Sequence, residues 1–170
     1  MKYKFLEHTA DIKFQAFGKT IEKAFENSAY ALQEVMTKKI KIKPVIKKKI
    51  EVKGRDKEAL LYNFLEEFLF LLDSENFVLS KINKINIKDN LIIINNKNNK
   101  SSKDELALKV IKDGNKEQYN HNKEYKLIAE VIGDNAENYN FSNNVKAITY
   151  NSMFVKKEGK VYICQVVVDV

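Results

Sequence analysis

The sequence predicts a domain of mixed α and β structure, and three observations predict it. Two stretches repeat apolar residues at helical spacing, several shorter ones alternate apolar and polar side chains, and the last quarter reads as a hairpin. A chain of 170 residues with 44% hydrophobic side chains is about one domain, with enough apolar material for a core. The single cysteine, Cys164, excludes an internal disulfide and so the small disulfide-stapled class. No apolar run reaches the roughly 18 residues of a membrane-spanning helix, and the N-terminus lacks the apolar stretch and cleavage site of a signal peptide. The expectation is a soluble, cytoplasmic domain.

Residues 1–52 read as strand, strand, helix, strand. Ile12, Phe14 and Ala16 alternate with Lys13, Gln15 and Phe17, and Gly18 ends that strand. Thr20 is placed to cap a helix whose apolar positions, from Ile21 through Phe25, Ala29 and Leu32 to Met36, recur at 3–4 spacing as far as about Thr37. In the lysine-rich stretch from Lys38 to Lys53, Ile40 and Ile42 alternate with lysines, Pro44 interrupts, and Ile50 and Val52 resume. Proline predicts an edge strand or a break, and the lysines would discourage pairing along that edge. Gly54 turns the chain and Asp56 can cap a second helix. Leu60, Leu61, Phe64, Leu65, Phe68 and Leu69 make it so apolar that it belongs in the core, against a sheet or under the first helix.

Strands follow at about Phe77–Ile87, and then the composition shifts. Fifteen of the 19 asparagines lie between Asn83 and Asn144, and Asn95 to Ser102 form a low-complexity polar tract. Leu91–Ile94, Leu106–Ile111 and Tyr125–Ile132 still read as strands, with Asp113–Asn122 as a loop or hairpin tip. The stretch of about 88–144 is expected to elaborate a single domain that spans residues 1–170. Val145–Tyr150 reads as a strand, and Met153–Lys157 with Val161–Val168 as a hairpin across Glu158-Gly159. No internal repeat is visible.

The net charge of +7 suggests nucleic acid, but 29 of the 30 basic residues are lysine and Arg55 is the only arginine. Lys, Asn and Ile make up 65 of the 170 residues, a skew that AT-rich coding produces without any partner. Readers of phosphates and guanine edges favour the arginine fork, which is nearly absent. Two readings of the Lys38–Lys53 stretch therefore stand: a solvated strand edge, or a module that binds nucleic-acid phosphates.

Several constellations are missing. The five glycines never cluster into a phosphate loop, one cysteine and two histidines cannot build a zinc site unaided, and no serine sits in a nucleophile elbow. What stands out is Glu7-His8-Thr9-Ala10-Asp11-Ile12, where an imidazole and a carboxylate lie three residues apart between two strands. A short loop can aim both at one point, for a metal or for proton transfer. Equally, Thr9 and Asp11 can cap the turn while His8 stays on the surface. The other oddity is Asp169, which follows the apolar Val166-Val167-Val168 with the α-carboxylate of Val170 one residue on. Two negative groups at the end of a packed strand need a positive partner, a hard cation or a lysine such as Lys146, unless the tail frays.

His8-Thr9-Ala10-Asp11-Ile12, with Phe14, Ala16, Gly18 and Ala24-Phe25-Glu26-Asn27 behind it, resembles the opening of archease. Leu60 to Leu65, Val145 to Tyr150 and Val167-Val168-Asp169-Val170 are similar to that family's second helix, hallmark strand and terminus, in the same order. The resemblance implies an α+β fold, two helices packed on antiparallel β-sheet. It implies a protein cofactor rather than an enzyme. Such a protein activates an RtcB-type RNA ligase in tRNA splicing and RNA repair, promoting guanylylation of the ligase's active-site histidine and multiple turnover. It also implies a metal site at Asp11, Asp169 and Val170, with His8 and Lys146 as further functional residues. Oxygen ligands point to Ca²⁺, Mg²⁺ or Mn²⁺ rather than Zn²⁺. RNA would enter indirectly, through the ligase.

The chain departs from the family pattern in places. Asn138-Tyr139-Asn140-Phe141-Ser142 holds no histidine before the hallmark strand, Asn151 stands where a histidine often follows Thr-Tyr, and the Asn/Lys-rich middle is longer than usual. Competing readings are the lysine-rich nucleic-acid module and a chaperone-like interaction protein. A stand-alone metal-dependent hydrolase lacks an identifiable base or nucleophile beyond His8.

Overall fold

A computed structural model of the chain describes residues 1–7, 10–93 and 121–170. In order, the elements are β1 (Tyr3–Leu6), β2 (Ile12–Gly18), α1 (Ile21–Thr37), β3 (Ile46–Gly54), α2 (Lys57–Glu75), β4 (Phe77–Ile93), β5 (His121–Asn135), β6 (Ala147–Glu158) and β7 (Val161–Asp169). Two antiparallel sheets form, one ordered β1-β2-β7-β6 and the other β3-β5-β4. Each helix touches both sheets, so the helices fill the space between them. The expected architecture, two helices packed on antiparallel sheet, is the observed one.

Both helices begin as the sequence indicates. The Thr20 hydroxyl accepts from the backbone N–H of Lys23 at 3.2 Å, and the Asp56 carboxylate accepts from that of Ala59 at 2.6 Å. Each cap replaces an orphan N–H's lost partner, worth about 1 kcal/mol. A glycine precedes each cap by two residues, and the reason is steric. A Cβ on Gly18 would stand 2.3 Å from the Ala24 nitrogen, and one on Gly54 2.3 Å from the Leu60 nitrogen. Only glycine lets each helix press its first turn onto the strand that feeds it. The second helix is buried as its composition requires: Leu60, Leu61, Phe64 and Leu65 have no exposed surface. Phe64 stacks on Phe25 of α1 with centroids 6.3 Å apart and meets Phe68 edge-on at 5.2 Å.

Four boundaries differ from the sequence reading. The strands expected near Phe77–Ile87 are one strand running on to Ile93, bent by register shifts at Leu79/Lys81 and Ile82/Lys84. Bulges break the period-2 pattern that marks a continuous strand. Val145–Tyr150 and Met153–Lys157 belong to one strand, β6, which starts at Ala147. Its register with β7 slips between Thr149 and Phe154, and Ser152 takes a left-handed φ of 54°. The β6–β7 turn is Gly159-Lys160, one residue later than expected, with Gly159 at φ 58°. Pro44 does interrupt the chain, and β3 is indeed an edge strand. His121 and Asn122, expected in a loop, are strand residues of β5. The expected strand Leu106–Ile111 and the tract Asn95 to Ser102 lie outside the described residues.

Candidate functional site

The four-stranded sheet brings the two ends of the chain together. Ile12 of β2 pairs with Val168 of β7, and Ala147 of β6 pairs with Asp169. Continuing the first register by one residue sets Asp11 opposite Asp169. Lys146 lies one residue before the first pair of β6, and its backbone N–H donates to the Asp169 carbonyl at 2.9 Å. Three strand ends thus deliver Asp11, Lys146 and Asp169 to one edge of the sheet, with Val170 just beyond. Val166, Val167 and Val168 have no exposed surface, and the Gln15 amide donates across the pair to the Gln165 side-chain oxygen at 2.8 Å, which fixes the register.

The charges interact locally. The Lys146 ammonium donates to the main-chain oxygen of Val170 at 3.0 Å and stands 4.0 Å from the Asp169 carboxylate. With side-chain exposures of 61% and 48%, this ion pair contributes little to stability, roughly 0–1 kcal/mol. Its use is therefore positional: it holds a cation beside the carboxylates while leaving both wet and reachable. Asp11 is half-buried and follows Ala10, whose φ of 69° is a left-handed conformation disfavoured for an alanine. Such strain persists only where the surrounding structure overrides it, here at the residue that swings the chain into β2.

The segment ahead of β6 is tied to the end of α1. Ser142 donates its backbone N–H to the Met36 carbonyl at 2.7 Å, and the Asn143 amide donates to the Val35 carbonyl at 2.7 Å. These bonds satisfy carbonyls that a helix leaves orphaned at its C-terminus. They also fix where Lys146 can stand. The sequence reading noticed this segment only for its missing histidine, yet its serine and asparagine carry a structural role. A second feature gave no sequence signal. A cavity of about 660 Å³ is lined by Phe5, Leu6, Ile12 and Val35 together with Asp11, Glu34, Lys38, Lys39 and Asn143. Its lining comes from four separate segments, so no local pattern marks it.

Of the residues expected to act, Lys146, Asp169 and Val170 are in contact, and the β2–β7 register carried one residue further sets the Asp11 backbone across from Asp169. His8 lies outside the described residues. Among the described residues, no cluster of three or more histidine, cysteine, aspartate or glutamate side chains has metal-binding spacing. The donors expected at Asp11, Asp169 and Val170 are oxygens only, which suit a hard divalent ion and not a soft one. Cys164 takes no part: burial pushes its thiol up to about 12, so it stays protonated and inert.

Residues 3–170 match the model of the Archease protein family (MTH1598/TM1083). The chain belongs to the archease family. It is 32% identical to protein archease of Pyrobaculum neutrophilum over 171 residues, covering 99% of this chain and 95% of that one. Identity to protein archease of Thermococcus kodakarensis is 33% over 158 residues, 92% of this chain and 89% of the relative. Two solved archease-family folds agree in architecture. The solution structure of Methanobacterium thermoautotrophicum protein 1598 superposes with a TM-score of 0.66 at 24% identity, covering 99% of both chains. The crystal structure described as an archease, possible chaperone, from Thermotoga maritima gives 0.52 at 19% identity, covering 98% of this chain and 96% of that one. No helix among the described residues is long and apolar enough to cross a membrane.

Proposed function

We propose that this chain is an accessory protein, not itself an enzyme, that activates an RtcB-type RNA ligase by promoting the ligase's guanylylation and repeated turnover in tRNA splicing and RNA repair. Family membership supports the reading in outline. The observation that carries it is the convergence of Asp11, Lys146 and Asp169 at one edge of the sheet, from three strands whose register brings the chain's distant ends together. With the Lys146 ammonium beside Asp169 and Asp11 on the neighbouring strand, these residues would form a compact charged tip that a partner's active site can accept.

Asp11, Asp169 and Val170 would hold a hard divalent cation, Ca²⁺, Mg²⁺ or Mn²⁺, which would supply positive charge to phosphate oxygens. The rest follows from the chain's own groups. Lys146 places a second positive charge at the tip, a point charge suited to a phosphate oxygen. The β6–β7 pairing and the bonds from Ser142 and Asn143 to α1 fix the backbone that carries Lys146. The cavity beside Asp11 gives the tip an apolar flank.

Purified ligase, incubated with GTP, should become guanylylated faster with this chain present and should complete many turnovers. Asp11→Ala, checked for its fold by circular dichroism, should remove the gain. An unchanged ligase rate with the wild-type chain refutes the reading.

A further inference from the structure

The outward face of the three-stranded sheet gathers lysines from all three strands. Because paired residues share a face, the registers define its rows. Lys47 of β3 pairs with Ile132 of β5, which pairs with Lys81 of β4. The next row is Lys49, Glu130 and Lys84. A further row is Lys53, Lys126 and Lys88, three lysines straight across the sheet. The β3 and β4 members of these rows are all exposed. The inward face of the same strands carries Ile50, Leu127, Ala129 and Val131, all buried.

Charge is only partly balanced within this face. Lys53 pairs with Glu124 at 3.0 Å, and Glu51 bridges Lys126 at 2.5 Å and Lys49 at 3.8 Å. Lys47 and the three β4 lysines make no ion pair among the described residues. The three acids Glu51, Glu124 and Glu130 offset three of seven lysines. Like charges directly opposite across strands destabilise a sheet; in the Lys53–Lys126–Lys88 row Glu124 and Glu51 answer the first two lysines, and Lys88 has no acidic partner among the described residues.

We propose that this face binds the phosphate backbone of RNA, directly and without regard to sequence. Cross-strand neighbours about 4.8 Å apart and same-face neighbours near 6.7 Å along each strand make a flat lattice of flexible ammonium groups. A nucleic-acid strand carries a charge every 3.4 Å or so, dense enough to meet several at once. The rows contain no aromatic side chain to stack a base and no arginine to fork onto a guanine edge, so the contact reads charge alone. Lysine here comes from strands separated in sequence by up to 79 residues, Lys47 to Lys126, so coding bias alone does not place it on one face. Only the choice of RNA over other nucleic acids rests on the proposed ligase partnership.

Fluorescence anisotropy of labelled single-stranded RNA with the full chain, over a salt series, tests the proposal. Wild-type affinity should fall steeply with salt and be alike for unrelated sequences. The triple variant Lys81→Glu, Lys84→Glu, Lys88→Glu, checked for its fold by circular dichroism, should bind at least about tenfold more weakly, with a salt slope shallower by roughly two to three. Replacing the same three lysines with glutamine should act in the same direction to a smaller extent. Asp11→Ala should bind RNA as the wild type does. Equal binding and equal salt slope for the triple variants overturn the proposal. So does a preference above tenfold for one sequence, or displacement of RNA by polyglutamate as readily as by unlabelled RNA. None of these arms contains the ligase, so a failure of the ligase reading leaves them untouched.

Discussion

At one edge of the four-stranded sheet, Asp11, Lys146 and Asp169 meet because β7 pairs with β2 on one side and β6 on the other. On the three-stranded sheet, the lysines meet because three lysine-bearing strands turn their polar faces the same way. The first site is small, mixed in charge and held by the β2–β7 register. The second is broad, predominantly positive and held by nothing but the sheet beneath it. The difference teaches what each can recognise. A site fixed by register can position one or two atoms of a ligand, whereas a lattice of mobile ammonium groups can only hold a polyanion nearby. The two sheets share one core, so the comparison can be broken in a graded way.

The largest effect should come from the shared core. Phe64 is fully buried between the helices, and Phe64→Ala should cost roughly 3–5 kcal/mol. Denaturant unfolding should show that loss as one transition, and RNA binding and ligase activation should fail together at the same denaturant concentration. Separate failures would mean the sheets unfold independently.

A smaller effect should touch the four-stranded sheet alone. The Tyr3 hydroxyl on β1 donates to a Glu34 oxygen at 2.7 Å. Burial first, then this hydrogen bond and the nearby carboxylate, push its ionisation up to about 12. The folded chain therefore keeps this proton more tightly than the unfolded chain does. Its stabilisation is present below the ordinary tyrosine value near 10 and is lost as pH rises from there through about 12. Tyr3→Phe should flatten the decline of the thermal midpoint over that window. The same variant should leave the salt dependence of RNA binding unchanged, because β1 lies in the other sheet.

Much of the fold was legible because it rests on local chemistry. Thr20 and Asp56 announce helix starts, Gly18 and Gly54 announce strand ends, and the apolar run from Leu60 to Leu69 announces a buried helix. The course of β4 was harder, since two bulges shift its alternation out of phase. The pairing of Lys146 with Asp169 was legible from the apolar strand ahead of that acid, but joining Asp11 to them came through the family resemblance. Nothing local relates Asp11 to Asp169, because their opposition depends on a pairing between segments more than 150 residues apart. The lysine face was half visible: its β3 members stood out as a run, but Lys81, Lys84 and Lys88 looked like scattered surface charge until the register aligned them. The cavity beside Asp11 and the strap at Ser142 and Asn143 were not visible at all, being made of contacts between elements.

The central claim is that Asp11 and Asp169 act as one site. A double-mutant cycle on ligase guanylylation measures that most directly, with Asp11→Asn, Asp169→Asn and the pair compared with the wild-type chain. If the two carboxylates serve a single tip, either substitution removes most of the rate gain and the double variant is hardly worse than the singles. Multiplying losses in the double variant would show two independent contributions and contradict the account.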